Sequence, residues 1–342
     1  MLIAEDSPTV RALLVDILES DPEIEVVGEA RNGQEAVEMA ARLRPNLITM
    51  DVEMPVMDGL EATKEIMVLA PTPILVVSSQ ANPGNIELSL NAVRAGALMV
   101  VPTPASPESD RFEEERDYLR SMVRAMAAVK VVRRRMIDRS TAPAPRGPRR
   151  IQTRLVAMAA STGGPEALRR ILSELPGDFR VPIVVVQHMA LGFIEGLAHW
   201  LTGCCNLHVK VAEHGEQLRP RTVYVAPDQL HLTISPHCQI ALSNRPPIDG
   251  FRPSATYLFK CAARVYGASM AAVILTGMGR DGVDGLRAVR AAGGLVLAQD
   301  EETSVVYGMP REAIAAGVVE AVLPLAEIAP RLVAEVAAGD LN

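Results

Sequence analysis

Short apolar runs recur twice along this chain between amphipathic stretches of helical length, and this alternation limits the fold more than any other feature. In the first part the runs are Ile24–Val27, Leu47–Met50, Ile74–Val77 and Leu98–Val101, preceded by Leu2–Ala4. In the second they are Leu155–Ala160, Val181–Val186, Val223–Ala226, Ala271–Leu275 and Leu295–Ala298. Runs of this length with little polar alternation suit strands covered on both faces, and helices between them supply the cover. Both parts therefore read as α/β, each a doubly wound parallel sheet. Arg221–Leu242 departs from the pattern, being strand-rich with turn residues, and predicts a β-hairpin insertion in the second sheet.

The two series are separated by a charged helical stretch from Glu108 to about Arg135 and then by MIDRSTAPAPRGPRR, which carries Pro143, Pro145 and Pro148. Proline at this density interrupts helix and reads as a linker. The expected organisation is a first domain over 1–107 with a final helix to about 135, a linker over 136–150, and a second domain over 151–342. A length of 342 residues suits two domains. The arginines around the linker fit a solvated connector better than a nucleic-acid tail, because the formal net charge is −7 and a general nucleic-acid binder needs a basic face. The four cysteines, Cys204, Cys205, Cys238 and Cys261, have no zinc-site spacing. No apolar run reaches the roughly 20 residues needed to cross a bilayer, and Glu5 and Asp6 stand where a signal peptide would be apolar. The expectation is a cytoplasmic protein with no direct membrane insertion.

Asp51 follows the run Leu47–Met50, so its carboxylate emerges at a strand's C-terminal edge, where open α/β sheets bind ligands. Glu5 and Asp6 follow Leu2–Ala4 and emerge at the same edge, just before a helix start with Ser7 as N-cap and Pro8 in the first turn. Any one of these acids could be a helix cap. Three together repel one another, and a Mg²⁺ ion resolves the repulsion. The segment ITMDVEMPVMDGLEA, with IAEDSP before it and VVSS after it, resembles the receiver domains of bacterial response regulators, which are flavodoxin-like. That resemblance implies that Asp51 is the phosphoacceptor, that Glu5 and Asp6 complete a metal pocket with it, and that Ser78 is the switch hydroxyl. Receivers usually carry a lysine where MVVPTP places Thr103, so the ion pair that reports phosphorylation is missing here.

In LVAMAASTGGPEAL, the strand Leu155–Ala160 ends at Ser161 and Gly163-Gly164-Pro165 opens a helix. Such a turn exposes a hydroxyl and points helix N-terminal amides at it, the N–H of Thr162 being the nearest donor. Alone, this could equally be a phosphate-binding turn or a plain cap. His188 follows Val181–Val186 and reaches the same sheet edge, where an imidazole can take a seryl proton. Asp281, in the glycine-rich VILTGMGRDGVDGL, follows Ala271–Leu275 and can orient that imidazole. The chain order Ser, His, Asp and the lack of a full G-x-S-x-G elbow disfavour an ordinary α/β-hydrolase.

These segments, together with QHMALGF, YVAPDQLHL and QDEETSVVYGMPREAI, resemble the catalytic domain of the CheB protein-glutamate methylesterases. The resemblance covers nearly the whole chain. It implies that Ser161 is the nucleophile, His188 the base, Asp281 its orienter, and the amides of Thr162 and Met278 the oxyanion donors. It further implies hydrolysis of glutamate methyl esters on methyl-accepting receptors, with deamidation of glutamine as a second reaction. Control would come from a histidine kinase of the CheA type; Mg²⁺ would serve the receiver and no cofactor the esterase. The family commonly has Gly at Ala159, His at Phe251 and Asp at Thr256, and none of these departures removes a triad member. A receptor-docking regulator with weak catalysis, or a phosphate sink without output, are the competing readings; the complete triad argues against both.

Overall fold

The computed structural model describes residues 1–79, 86–127, 152–189 and 191–337. The chain divides into two compact units, Met1–Ser140 and Thr141–Asn342. The expected linker over 136–150, and the end of the preceding helix beyond Ala127, lie outside the described residues.

The first unit runs β1 (Leu2–Ala4), α1 (Pro8–Glu19), β2 (Gly28–Ala30), α2 (Gly33–Leu43), β3 (Ile48–Met50), α3 (Gly59–Leu69), β4 (Ile74–Ser78), α4 (Ile86–Ala95), β5 (Met99–Pro102) and α5 (Phe112–Ala127). Its five strands pair in parallel in the order β2-β1-β3-β4-β5, the flavodoxin-like arrangement. Strands β1, β3 and β4 are fully buried, as their unbroken apolar character requires. Ser7 caps α1 by accepting from Val10 N–H, with Pro8 in the first turn, as the sequence predicts.

One expectation fails here. The run Ile24–Val27 precedes the strand instead of forming it, and β2 is Gly28–Ala30, paired Leu2 to Gly28 and Ala4 to Ala30. This is an edge strand, so two-sided burial does not select its residues. At Gly28 a Cβ would meet Met39 Cε at 2.6 Å and Leu43 Cδ1 at 2.9 Å, the tips of two side chains of α2 that pack over this strand.

The second unit runs β6 (Leu155–Ala160), α6 (Gly164–Glu174), β7 (Ile183–Gln187), α7 (Ile194–Thr202), β8 (His208–Val211), β9 (Thr222–Val225), β10 (His231–Ile234), β11 (Ile240–Ser243), α8 (Ala255–Tyr266), β12 (Met270–Ile274), α9 (Val283–Ala291), β13 (Leu295–Gln299), α10 (Met309–Ala315), β14 (Ala321–Leu323) and α11 (Leu325–Ala337). Seven strands form one parallel sheet in the order β14-β13-β12-β6-β7-β9-β8. The hairpin expected over Arg221–Leu242 is smaller than its span suggests. Strand β9 belongs to the main sheet, and only β10 and β11 pair as an antiparallel hairpin. Strands β8 and β14 had no apolar run to announce them, because both lie at sheet edges and are partly exposed.

From β6 the chain winds outward through β7 to β9 and β8, then returns to β12 and winds the other way. The loops after β6 and β12 therefore diverge, leaving a crevice at the strands' C-terminal ends. All residues of β6, β7, β12 and β13 are buried, which makes the floor of that crevice rigid. Among the described residues, no helix is long and apolar enough to cross a membrane.

Candidate active site

Ser161, His188 and Asp281 leave three adjacent strands, β6 lying between β7 and β12. The backbone ties them closely. Ser161 N–H donates to Thr276 O at 3.0 Å and His188 N–H to Ala160 O at 2.9 Å. Gln187 Nε2 donates to both Ser161 O and His188 O at 2.8 Å, joining the serine turn to the histidine strand. After Ser161 the chain turns through Gly163, which has φ 76° at the start of α6. A Cβ on Gly163 would meet Val305 Cβ at 2.5 Å, so both space and conformation require glycine.

His188 Nε2 lies 3.0 Å from Asp281 Oδ2. On the other side of the ring, Nδ1 is buried without a hydrogen-bond partner. Ser161 Oγ therefore makes no hydrogen bond to this nitrogen, a looseness common in catalytic sites before substrate binds. The ring of Phe251 stacks on the imidazole, with centroids 4.4 Å apart and planes at 20°.

Asp281 is buried, with 1% of its surface exposed. Its Oδ1 accepts from Ser254 Oγ at 2.8 Å and Thr256 N–H at 3.0 Å, and its Oδ2 accepts from Ala255 N–H at 2.7 Å. These groups are the N-cap and first turn of α8, where backbone donors are unpaired and the helix dipole favours an anion. Burial alone pushes the Asp281 carboxyl up. The hydrogen bond and charge of His188, with the amides of Thr256 and Ala255, outweigh burial and hold it below the ordinary range. A carboxylate at Nε2 favours a proton on that nitrogen, which would leave Nδ1 able to accept one.

Ser254 and Gln187 were not singled out from sequence. Ser254 donates to Asp281 while its Oγ accepts from Tyr257 N–H as the cap of α8, and its own N–H donates to Nδ1 of the buried His231 at 3.2 Å. Serine before a helical run is a readable cap signal, whereas its contact with Asp281 comes from pairing distant segments. The departures fall into place as well. Ala159 is wholly buried inside β6 and cannot line a groove, and Thr256 Oγ1 accepts from Gly282 N–H at 2.8 Å, bracing the Asp281 turn.

The amides expected as oxyanion donors belong to Thr162, next to Ser161 in the chain, and to Met278, in the turn after β12. Thr162 is buried and Met278 is 39% exposed; neither N–H donates to a backbone carbonyl among the described residues. Thr276 Oγ1 donates to Thr162 O at 2.9 Å and accepts from Val306 N–H at 2.9 Å, linking the two turns. A Cβ on Gly277 would lie 2.6 Å from Ser161 Cβ and 3.0 Å from Ser161 N. Glycine is thus what lets the Met278 turn approach the serine.

In the first unit, Glu5, Asp6 and Asp51 each offer a carboxylate oxygen, and these lie within 4.8 Å of one another. Burial, with the charges of Asp51 and Asp6, pushes Glu5 up to about 7 despite the N–H of Ser7. Burial likewise raises Asp51, opposed by the amides of Val52 and Glu53. Arg11 donates to the main-chain oxygens of Glu5 and Asp6 while its Nε pairs with Glu29 at 3.2 Å. Crowded hard oxygen donors of this kind fit a divalent cation such as Mg²⁺. Ser78 is buried at the end of β4, and its carbonyl accepts from Thr103 N–H at 3.2 Å.

The family model described as CheB methylesterase matches residues 156–332, and that of the response regulator receiver domain matches residues 1–109. A protein from Myxococcus xanthus (strain DK1622), described as protein-glutamate methylesterase/protein-glutamine glutaminase 4, is 53% identical over 97% of this chain and 95% of its own length. One from Anaeromyxobacter dehalogenans (strain 2CP-C), described as protein-glutamate methylesterase/protein-glutamine glutaminase 3, is 48% identical over 97% of each. The crystal structure of the Thermotoga maritima CheB methylesterase catalytic domain is similar at 41% identity and a TM-score of 0.52, covering 54% of this chain and 98% of that one. With a receiver ahead of a methylesterase domain along nearly its whole length, this chain belongs to the CheB family of response-regulator methylesterases.

Proposed function

We propose that this protein hydrolyses glutamate methyl esters on methyl-accepting chemotaxis receptors, with Ser161 as nucleophile, His188 as base and Asp281 as its orienter. The observation that carries the residue roles is the imidazole of His188, held at Nε2 by a buried carboxylate while its buried Nδ1 has no hydrogen-bond partner. Ser161 Oγ attacks the ester carbonyl as its proton passes to Nδ1. The amides of Thr162 and Met278 receive the oxyanion. The imidazolium returns its proton to the departing methoxide, releasing methanol. Water, deprotonated by the same nitrogen, then hydrolyses the acyl-serine to free glutamate and restores the hydroxyl.

A glutamine side chain presents the same carbonyl with ammonia as leaving group, and the dual names of the relatives support deamidation as the second reaction. In the receiver over 1–107, Asp51 accepts a phosphoryl group from a histidine kinase of the CheA type. Glu5, Asp6 and Asp51 would hold Mg²⁺, which supplies neutralising charge for the incoming phosphoryl oxygens. The esterase reaction uses side chains and backbone amides alone.

Methanol release from methyl-labelled receptors tests the reading. Ser161→Ala removes one hydroxyl from a folded turn, so the rate is expected to fall at least about 10³-fold with unchanged circular dichroism. A variant keeping more than about one per cent of the wild-type rate would overturn the assignment.

A further inference from the structure

The triad does not explain why an apolar ring lies flat on its base. Phe251 is delivered there by a tight turn. Ile248 and Phe251 exchange both backbone hydrogen bonds, at 3.0 and 2.9 Å, around Asp249 at φ 50° and Gly250 at φ 84°. Two successive positive φ values mark a type I′ turn, which Asp-Gly favours. The base of the turn is anchored by Arg252, whose guanidinium donates to Gln229 Oε1 at 2.9 Å and to Asn244 O and Arg245 O at 3.4 Å. Phe251 is therefore held by backbone geometry and not merely drawn onto a neighbouring surface. Its tip also reaches the oxyanion turn, since a Cβ on Gly279 would lie 3.9 Å from Phe251 Cζ.

The hydrogen bond to Asp281 fixes one atom of the imidazole but leaves the ring free to swing about that contact, because the terminal torsion of histidine is broad. A swing moves Nδ1 off the serine, and a flip puts carbon against the carboxylate. A face contact removes this freedom. We propose that Phe251 is a positioning residue for His188: its stacked ring fixes the imidazole plane so that Nδ1 stays aimed at Ser161 while Nε2 stays on Asp281. The proposal rests on His188 being the base.

Because the imidazole plane matters to proton transfer, loss of the stack acts on turnover more than on binding. In the full chain, Phe251→Leu keeps an apolar side chain but removes the ring face. Its kcat is expected to fall about 3- to 10-fold, the size of an aromatic pair contact, with KM within about twofold. Phe251→Tyr restores most of that loss. Gly250→Val has open space around the new side chain but is strained at φ 84°, so it reproduces the Phe251→Leu defect without touching His188. A second readout is independent of activity: the His188 ring protons, assigned among the six histidines with His188→Ala, move out of the Phe251 ring current in Phe251→Leu and stay shifted in Phe251→Tyr.

Wild-type kcat in Phe251→Leu, equal losses in the Leu and Tyr variants, a loss confined to KM, or an unmoved His188 signal would each overturn the proposal. If those results came with an inactive Ser161→Ala, the triad would stand and only the role of Phe251 would fall. An active Ser161→Ala would remove the triad and this inference together.

Discussion

Asp281 meets His188 through the same oxygen that accepts the N–H of Ala255, so the carboxylate that holds the imidazole also closes the N-terminus of helix α8. The proposed triad and the helix cap share one buried anion. Asp281→Asn therefore costs on both counts. Each carboxylate oxygen faces a backbone N–H, from Thr256 or Ala255, so the amide group of Asn opposes a donor in either orientation. Stability is expected to drop by about 1–3 kcal/mol and esterase rate by about 10²- to 10⁴-fold. Denaturant unfolding and methanol release measure the two, and an unchanged midpoint would refute the capping role.

Gly277 lets the Met278 turn pack against Ser161. Gly277→Ala places a methyl 2.6 Å from Ser161 Cβ and 2.5 Å from Met309 Sδ. The flexible thioether can yield, whereas the strand that carries Ser161 cannot. Adding Met309→Ala should recover part of a stability loss of about 1–3 kcal/mol, while an activity loss of about 10²-fold persists. Recovery of activity in the double variant would show that Met309, and not Ser161, bears the clash.

The receiver's stability should respond to pH and Mg²⁺ together. Glu5 is raised to about 7 in the folded chain from 4.5, so between these values the unfolded state binds fewer protons and stability falls as pH rises. Asp51 is raised in the same direction. A cation that binds the ionised carboxylates reverses the penalty, so millimolar Mg²⁺ should raise the receiver's thermal midpoint more at about pH 8 than at about pH 5. Equal shifts at both would argue against these carboxylates as ligands.

Thr103 cannot make the ion pair that a lysine would make with phosphorylated Asp51. A modification shifts a two-state equilibrium only through its differential contacts, and one charged contact carries on the order of 1–3 kcal/mol. Acetyl phosphate should therefore stimulate the wild-type esterase weakly and Thr103→Lys more strongly, by about fivefold or more. Strong stimulation of wild type, unaltered by Thr103→Lys, would place the switch elsewhere.

The residues of the candidate sites were legible because each follows a run buried on both faces. Burial on both faces demands continuous apolar sequence, which reveals β1, β3, β4, β6, β7, β12 and β13, and the polar residue ending such a run must lie at the sheet's C-terminal edge. Asp51 and Ser161 stand out for this reason, while His188 follows Gln187 and Asp281 lies in the glycine-rich turn after Thr276. Edge strands carry no such demand, so the apolar pattern sets β2 four residues early and gives no sign of β8 and β14. The sequence pattern overstates the hairpin because β9 is short and its parallel pairing with β7 joins residues forty positions apart.

What the chain determined by itself is therefore local: which residues each strand delivers to the crevice, and which turns need glycine or a capping hydroxyl. Tertiary structure decided the rest. Nothing in RPSAT shows that Ser254 and the amides after it hold Asp281, and nothing in PIDGF shows that its ring lies on His188. Those contacts join segments 27 and 63 residues apart in sequence, Ser254 to Asp281 and His188 to Phe251. Only the order of strands in the folded sheet brings them within reach, because hydrogen bonds and ring contacts act over a few ångströms and carry no mark in the local pattern.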